Sequence, residues 1–203
     1  MTNINDLRVT KTLENIKNGF SICIKQKTFT SITVKDIITA AKINRSTFYK
    51  YYEDKYQLRE SLISSTLDEL SNNINLDAFK LDINSINILS KQLEFMYSQK
   101  DWYLTLWNKN IELYVYDDMI HVFEKKTREC AAEYSKISYY EETNLSKNEL
   151  FARLFSSSAM TTIKWWYECS PNTSPKDVSK IIIDNIKSGM HHAFCSHAKS
   201  IGK

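Results

Sequence analysis

Glycine and proline are nearly missing from this chain. Only 3 Gly and 2 Pro occur among 203 residues, and neither Pro precedes position 171, so too few turn-formers are present for a fold of many short strands and an all-α protein is the default. Cysteine is sparse as well. Cys23, Cys130, Cys169 and Cys195 are scattered with no C-x-x-C pair, which fits reduced, buried thiols and a cytoplasmic protein. No apolar run is long enough to span a bilayer, so no membrane association is expected. No Gly-rich phosphate loop, nucleophile elbow or H-E-x-x-H is present, and only 4 His are available for acid–base work. No catalytic residue, cofactor or assigned metal site follows from this, and the chain reads as a non-enzyme. What is abundant is apolar and basic in the right places. The 42% apolar content suffices for a packed core in one large or two small domains. Residues 1–60 carry 11 Lys and Arg against 6 Asp and Glu, while residues 61–203 carry 16 against 18. The basic end is built to meet an acidic partner.

Within that basic end, one stretch from Ile32 to Lys55 has the pattern of a helix-turn-helix. Thr33 followed by Asp36 is a capping-box pattern, and Val34, Ile37, Ile38 and Ala41 repeat along one helical face. The first helix is short and ends near Lys42. Ile43 is then an apolar plug, and Asn44 is suited to cap a second helix through its side-chain oxygen. Phe48 and Tyr52, four residues apart, are expected to face inward. Arg45, Ser46, Thr47, Tyr49, Lys50 and Tyr51 then face outward, cationic, hydroxylic or aromatic, without a carboxylate among them. Such a face suits phosphates and base edges of double-stranded DNA.

At these residues the sequence resembles the TetR family of bacterial transcriptional regulators. The matching text is Ile32-Thr33-Val34-Lys35-Asp36-Ile37, then Ser46-Thr47-Phe48-Tyr49-Lys50-Tyr51-Tyr52, then Asp54-Lys55. The resemblance runs roughly from Leu7 to Leu70 and elsewhere holds only in helical layout. Two positions depart from it. Lys42 stands where the family usually has Gly, so a left-handed cap there is strained by up to about 1 kcal/mol or reshaped. Tyr51 replaces the common His, which keeps a phosphate donor but removes a titratable one. The resemblance implies a ligand-responsive regulator, a repressor in this reading, that binds a pseudo-palindromic operator as a homodimer and is released by a small-molecule effector of unknown identity. Arg45 and Lys50 are the candidates for base-edge contact. Thr33, Ser46, Thr47, Tyr49, Tyr51 and Lys55 are the candidates for positioning phosphates.

The rest of the chain reads as further helices. A bracing helix is expected over about Arg8–Gln26, with Leu13, Ile16, Phe20 and Ile24 inward, and a long one from Glu53 to about Leu70, with Tyr56, Leu58, Leu62 and Ile63 inward. Periodicity fails between Asn72 and Asn84, which places the domain boundary: 1–72 for DNA binding, 73–203 for effector binding and dimerisation. Helices follow over Ser85–Lys100, Trp102–Trp107 and Tyr114–Lys136. Capping boxes at Ser146/Glu149 and Ser174/Asp177, the latter with Pro175 at the first helical position, open helices to about Cys169 and His197.

Large side chains crowd the second domain. Phe95, Trp102, Leu106, Trp107, Tyr114, Trp165 and Trp166 are candidate walls of an aromatic pocket for an apolar or cationic effector, with simple core packing as the alternative. The last two helices carry apolar stripes, and the resemblance implies that they pair with their copies. Phe151, Phe155, Ala159, Ile182, Ile186 and Met190 are the candidate dimer-interface residues. Two heads are needed to reach successive major grooves about 34–36 Å apart. Three other readings stay open: a zinc-responsive regulator using His191, His192 and Cys195, a regulator answering to a protein partner, and an enzyme working in the aromatic cavity.

Overall fold

The computed structural model describes the backbone of residues 4–75, 77–78, 84–137 and 145–191, and the side chains of 7–75, 77–78, 84–129 and 149–188. Among them there is no strand, and no helix is long and apolar enough to cross a membrane. The all-α expectation holds, with a helix-turn-helix at the N-terminal end and a helical region after it. In chain order the helices are α1 (Ile4–Gln26), α2 (Val34–Ala41), α3 (Arg45–Tyr49), α4 (Lys55–Asn73), α5 (Ser85–Ser98), α6 (Lys100–Leu106), α7 (Val115–Ile137), α8 (Leu145–Cys169) and α9 (Pro175–Asn185). 3-10 turns lie at Phe29–Ser31 and Lys109–Ile111, and a π-helical stretch, Ile186–His191, follows α9.

The chain divides into two compact units, Met1–Asp68 with Asp101–Tyr116, and Glu69–Lys100 with Asp117–Lys203. The segment Asp101–Tyr116, expected in the second domain, thus packs with the first. Its apolar side chains explain this. Trp102, Leu106, Ile111 and Val115 are buried in one core with Ile16, Phe20 and Ile24 of α1, Phe29 and Ile32 of the turn before α2, Ile37 of α2, Phe48 of α3 and Leu58 of α4. Trp102 also donates its indole N–H to Thr66 Oγ1 at 2.9 Å, and Lys17 lies 4.5 Å over its ring. Ser21 and Thr105 share a hydrogen bond of 2.9 Å, and Asn110 donates to the Ile24 carbonyl.

One close approach in this unit depends on a missing side chain. A Cβ at Gly19 of α1 would come within 2.7–2.8 Å of Ala41 and the Ile37 carbonyl of α2. Gly19 therefore sets the contact distance between the bracing helix and the helix-turn-helix. Of the expected inward stripe of α1, Ile16, Phe20 and Ile24 are fully buried and Leu13 is half-buried. In α4, Leu58 and Ile63 are buried, whereas Tyr56 is 55% exposed, its ring set edge-on to Phe29.

In the second unit α5 and α8 pack on α9. Leu93 and Met96 of α5, Ile163 and Trp166 of α8 and Val178 and Ile182 of α9 are buried. Glu124 of α7 is also buried, and it is paired: Arg128 lies 3.3 Å away and Arg153 of α8 3.5 Å away, while Arg153 also holds Glu149 at 2.7 Å. A buried carboxylate without such partners would cost several kcal/mol. Ser174 caps α9 as the sequence indicates, accepting from the Asp177 N–H at 3.1 Å with Pro175 at the first helical position. Of the thiols described, Cys23 is buried as expected, and burial pushes its pKa up; Cys169 is exposed.

Candidate functional site

The N-terminal unit presents the helix pair α2–α3, and its geometry is set at both ends of α2. At the start, Thr33 Oγ1 accepts from the Asp36 N–H at 3.2 Å, while Asp36 Oδ2 accepts from the Thr33 N–H at 2.8 Å. That closes the reciprocal capping box. These bonds from Thr33, with Lys27 3.0 Å away, hold the Asp36 carboxyl down at about 2. At the end of α2, Lys42 lies in the left-handed region at φ 53° and ψ 44°. Its N–H reaches the Thr39 carbonyl at 3.3 Å, and the Ile43 N–H reaches Ile38 at 3.1 Å. This is the Schellman pattern, and Ile38 and Ile43, both packed against the core, supply the apolar contact that accompanies it. The cap usually made by Gly is kept, with the strain that a Cβ brings.

α3 begins at Arg45. Asn44 has the extended backbone of an N-cap, but its side chain makes no capping bond; its carbonyl instead accepts from Thr47 and Phe48. Phe48 is fully buried and anchors the helix, with the Tyr52 ring 5.9 Å away. The outward face carries Arg45, Ser46, Tyr49 and Lys50, all exposed, with Thr47 half-buried beside them. Arg45 donates to the Tyr49 hydroxyl at 3.3 Å and lies 5.3 Å from its ring, so the two project together. Lys42, exposed at the turn, adds a cation that the sequence reading did not assign to this face. A residue in the left-handed turn of a helix-turn-helix would have been the signal.

Three expected phosphate contacts stand differently. Tyr51 is half-buried against the core, with Lys50 5.6 Å from its ring. Thr33 is exposed, but its hydroxyl donates to Asp36 Oδ2 at 2.8 Å. Lys55 donates to three carbonyls, those of Phe29, Thr30 and Ile32, at 3.0, 2.9 and 2.7 Å. An ammonium has three protons, so this lysine braces the turn before α2 in place of reaching a phosphate. The same turn is held from elsewhere in the unit. Arg59 lies 3.8 Å over the Phe29 ring and donates to the Ile111 carbonyl, and the Glu112 carboxylate accepts from the Thr30 N–H at 2.9 Å and from its hydroxyl. Those two Thr30 bonds hold the Glu112 carboxyl below its usual range.

The second unit contains a cavity, but not with the walls expected. It is lined by Leu70, Asn73, Ile74, Ala78, Leu89, Gln92, Leu93, Met96, Phe123, Phe155, Ala159, Ile163, Ile182 and Ile183. None of the seven candidate wall residues is among them. Trp102 and Leu106 are buried in the first unit's core, and Trp107 stacks on Tyr103 there. Tyr114 is 83% exposed and Trp165 41% exposed. Trp166 is buried in a stack with Tyr97, centroids 4.7 Å apart, and donates to the Thr173 carbonyl. Phe95 is half-buried away from the cavity. The rings serve packing, the alternative weighed from the sequence. The cavity walls come mostly from the ordinary inner stripes of α4, α5, α8 and α9, with Phe123 of α7, and these read in sequence like any core.

The candidate dimer residues are likewise turned inward. Phe155, Ala159, Ile182 and Ile186 are each no more than 5% exposed within the single chain, and Phe155, Ala159 and Ile182 line the cavity. Phe151 is half-buried, stacked near Phe155, and Met190 lies outside the described side chains. The exposed apolar side chains of these helices are others: Leu150, Leu154 and Trp165 of α8 and Ile181 of α9. The His191, His192 and Cys195 group also lies outside the described side chains; among the described residues no group of three His, Cys, Asp or Glu could hold a metal ion.

Residues 22–62 match the pattern of "Bacterial regulatory proteins, tetR family". An uncharacterised HTH-type transcriptional regulator of Bacillus subtilis, YxbF, is 25% identical over 100 residues, 46% of this chain. The chain spans about a quarter of the length of that curated relative, 26%. Two solved structures share the fold over most of the chain. The dihydroxyacetone kinase operon activator DhaS superposes with a TM-score of 0.58 at 19% identity, covering 87% of this chain and 94% of that one. A TetR transcriptional regulator from Streptococcus agalactiae 2603V gives 0.54 at 20% identity, covering 90% and 97%. FadR of Thermus thermophilus, a repressor solved with lauroyl-CoA, gives 0.50 at 15% identity over 88% and 94%.

Proposed function

We propose, from the match of residues 22–62 to the tetR family of bacterial regulatory proteins, that this chain is a transcriptional repressor that binds a pseudo-palindromic operator as a homodimer and is released by a small molecule. The observation that carries the proposal is the outward face of α3. Arg45, Ser46, Tyr49 and Lys50 project from a helix whose other face is fastened by Phe48, and no carboxylate competes on α3. Arg45 and Lys50 read base edges in the major groove; Ser46, Thr47 and Tyr49 hold phosphates.

The effector is assigned to the cavity of the second unit. α4 is the element that makes this useful: it is one continuous helix whose Lys55 and Leu58 hold the reading head and whose Leu70 and Asn73 line the cavity. A ligand that displaces the last turn of α4 acts on the helix that carries the reader. The dimer face is assigned to Leu150, Leu154, Trp165 and Ile181, the exposed apolar side chains of α8 and α9.

The test is binding to the DNA upstream of the chain's own gene, titrated against salt, with wild type and Arg45→Ala side by side. Wild type binds with dimer stoichiometry and a steep salt dependence, and Arg45→Ala loses about 1–3 kcal/mol on that site with little change on random DNA. Equal losses on both DNAs would remove Arg45 as a reader. An enzyme is the competing class, and turnover of any ligand the protein binds would favour it.

A further inference from the structure

We infer that the cavity of the second unit takes an uncharged molecule with an aliphatic body and one neutral hydroxyl or amide group at one end, the chemistry of a medium-chain alcohol or amide; this rests on the reading of that cavity as the effector site. Its deep wall is aliphatic. Leu70, Leu93, Met96, Ile163, Ile182 and Ile183 are each at most 4% exposed, and no described lining residue is ionisable. A carboxylate or ammonium drawn into such a wall would be left unpaired at a cost of several kcal/mol. A flat cation finds no aromatic cage either, because among the described lining residues only Phe123 and Phe155 are rings and the tryptophans lie elsewhere.

The space itself is narrow. About 30 Å³ is open to the centre of a water molecule, and the void around those centres is larger by a water's radius on every side. An apolar void of this kind stays dry, and its lining atoms lack neighbours, so a methylene chain gains dispersion contacts that water does not make. Met96, unbranched and pliable, can change rotamer to lengthen the channel.

The polar end is set by where the lining meets solvent. Asn73 is exposed and Gln92 half-buried, whereas the deep wall is closed. Gln92 Nε2 donates to the Asn75 carbonyl at 3.2 Å and Asn73 Nδ2 to the Glu69 carbonyl at 2.8 Å. Each amide keeps its oxygen as an acceptor and one N–H as a donor, and a ligand hydroxyl or amide, which both donates and accepts, is the complementary group.

Calorimetric titration of the full chain at pH 7 with 1-octanol, octanoate and octylammonium tests this. Octanol binds at least tenfold more tightly than either ion. Ala159→Leu, which fills the void, weakens octanol at least tenfold; Gln92→Lys, at the half-buried rim, brings octanoate to within about threefold of octanol. The Gln92 variant decides the matter if Ala159→Leu does not fold. An ion that binds wild type as tightly as octanol overturns the inference, as does the absence of binding by all three, or octanoate binding that Gln92→Lys leaves unchanged. If octanol behaves as stated yet leaves the DNA complex intact, the ligand class stands and the effector reading falls.

Discussion

All three ammonium protons of Lys55 lie on carbonyls of one turn, Phe29, Thr30 and Ile32, and this decides what the residue does. Its position after the recognition helix suggested a phosphate contact, because sequence order shows proximity along the chain but not which carbonyls a folded turn leaves open. Lys55→Met therefore lowers stability by about 1–3 kcal/mol, as for partly buried carbonyls that lose a charged donor, and leaves the slope of DNA affinity against salt unchanged. A slope that falls by about one would return Lys55 to the phosphates. Asp36 is the opposite case, a role legible from Thr33 and Asp36 alone. Its folded pKa of about 2 lies below the ordinary 3.8, so the stability it supplies is complete above pH 4 and is lost as pH falls through about 2. Asp36→Asn flattens the acid limb of an unfolding-versus-pH curve over that window. At pH 7 the variant is less stable by about 0.5–1 kcal/mol, toward the low end for a cap because the carboxylate is partly in water.

At the scale of elements, local signals read well and partners read poorly. The capping box of α2, the Ser174 cap and Pro175 start of α9 and the Ile16, Phe20 and Ile24 stripe of α1 depend on residues a few positions apart, and the structure has them. At α9 only the Ser174 half of the expected box is made. Which helix meets which depends on side chains far apart in sequence. Gly19 against Ala41, or Trp102 against Thr66, carries no local mark, so the sequence pattern alone places α6 in the second domain and its rings in a pocket. The end of α2 joins the two levels. Lys42 holds φ 53° in a cap that the turn to α3 requires, and its backbone strain is the part that Gly would relieve. Lys42→Gly raises stability by up to about 1 kcal/mol, partly offset by the greater freedom of Gly in the unfolded chain. The exposed ammonium is lost with it, so DNA affinity at low salt falls while the melting temperature rises. A melting temperature that also falls would mean that the Lys42 side chain contributes more to the turn than its backbone costs.

For the molecule as a whole, the sequence showed that the last helices were apolar without showing which apolar residues stay uncovered. Helical stripes on α8 are broad enough to serve an inner and an outer contact, and only burial separates them. Phe155 and Ile182 are inside, while Leu154 and Trp165 remain 43% and 41% exposed. Leu150, Leu154, Ser157, Thr161 and Trp165 are all exposed and recur at intervals of three and four, a strip about 22 Å long at 1.5 Å per residue. In the proposed dimer this strip, together with the exposed Ile181 of α9, would meet a second copy of itself in the isologous manner of a twofold contact. Leu154→Glu with Trp165→Glu places two like charges on each side of that contact, and the chain should sediment as a monomer with its helical circular dichroism intact. Phe155→Ala should do the reverse, losing about 3–5 kcal/mol of stability at an interior position while the oligomeric state is kept. The charged variant has an unaltered reading head, so its binding to a single half-site should match wild type. On the full operator it loses the effective concentration that links two heads, about 10²–10⁴ in affinity. A charged variant that remains dimeric would place the interface on some other face, and full operator affinity in a proven monomer would show that one head suffices.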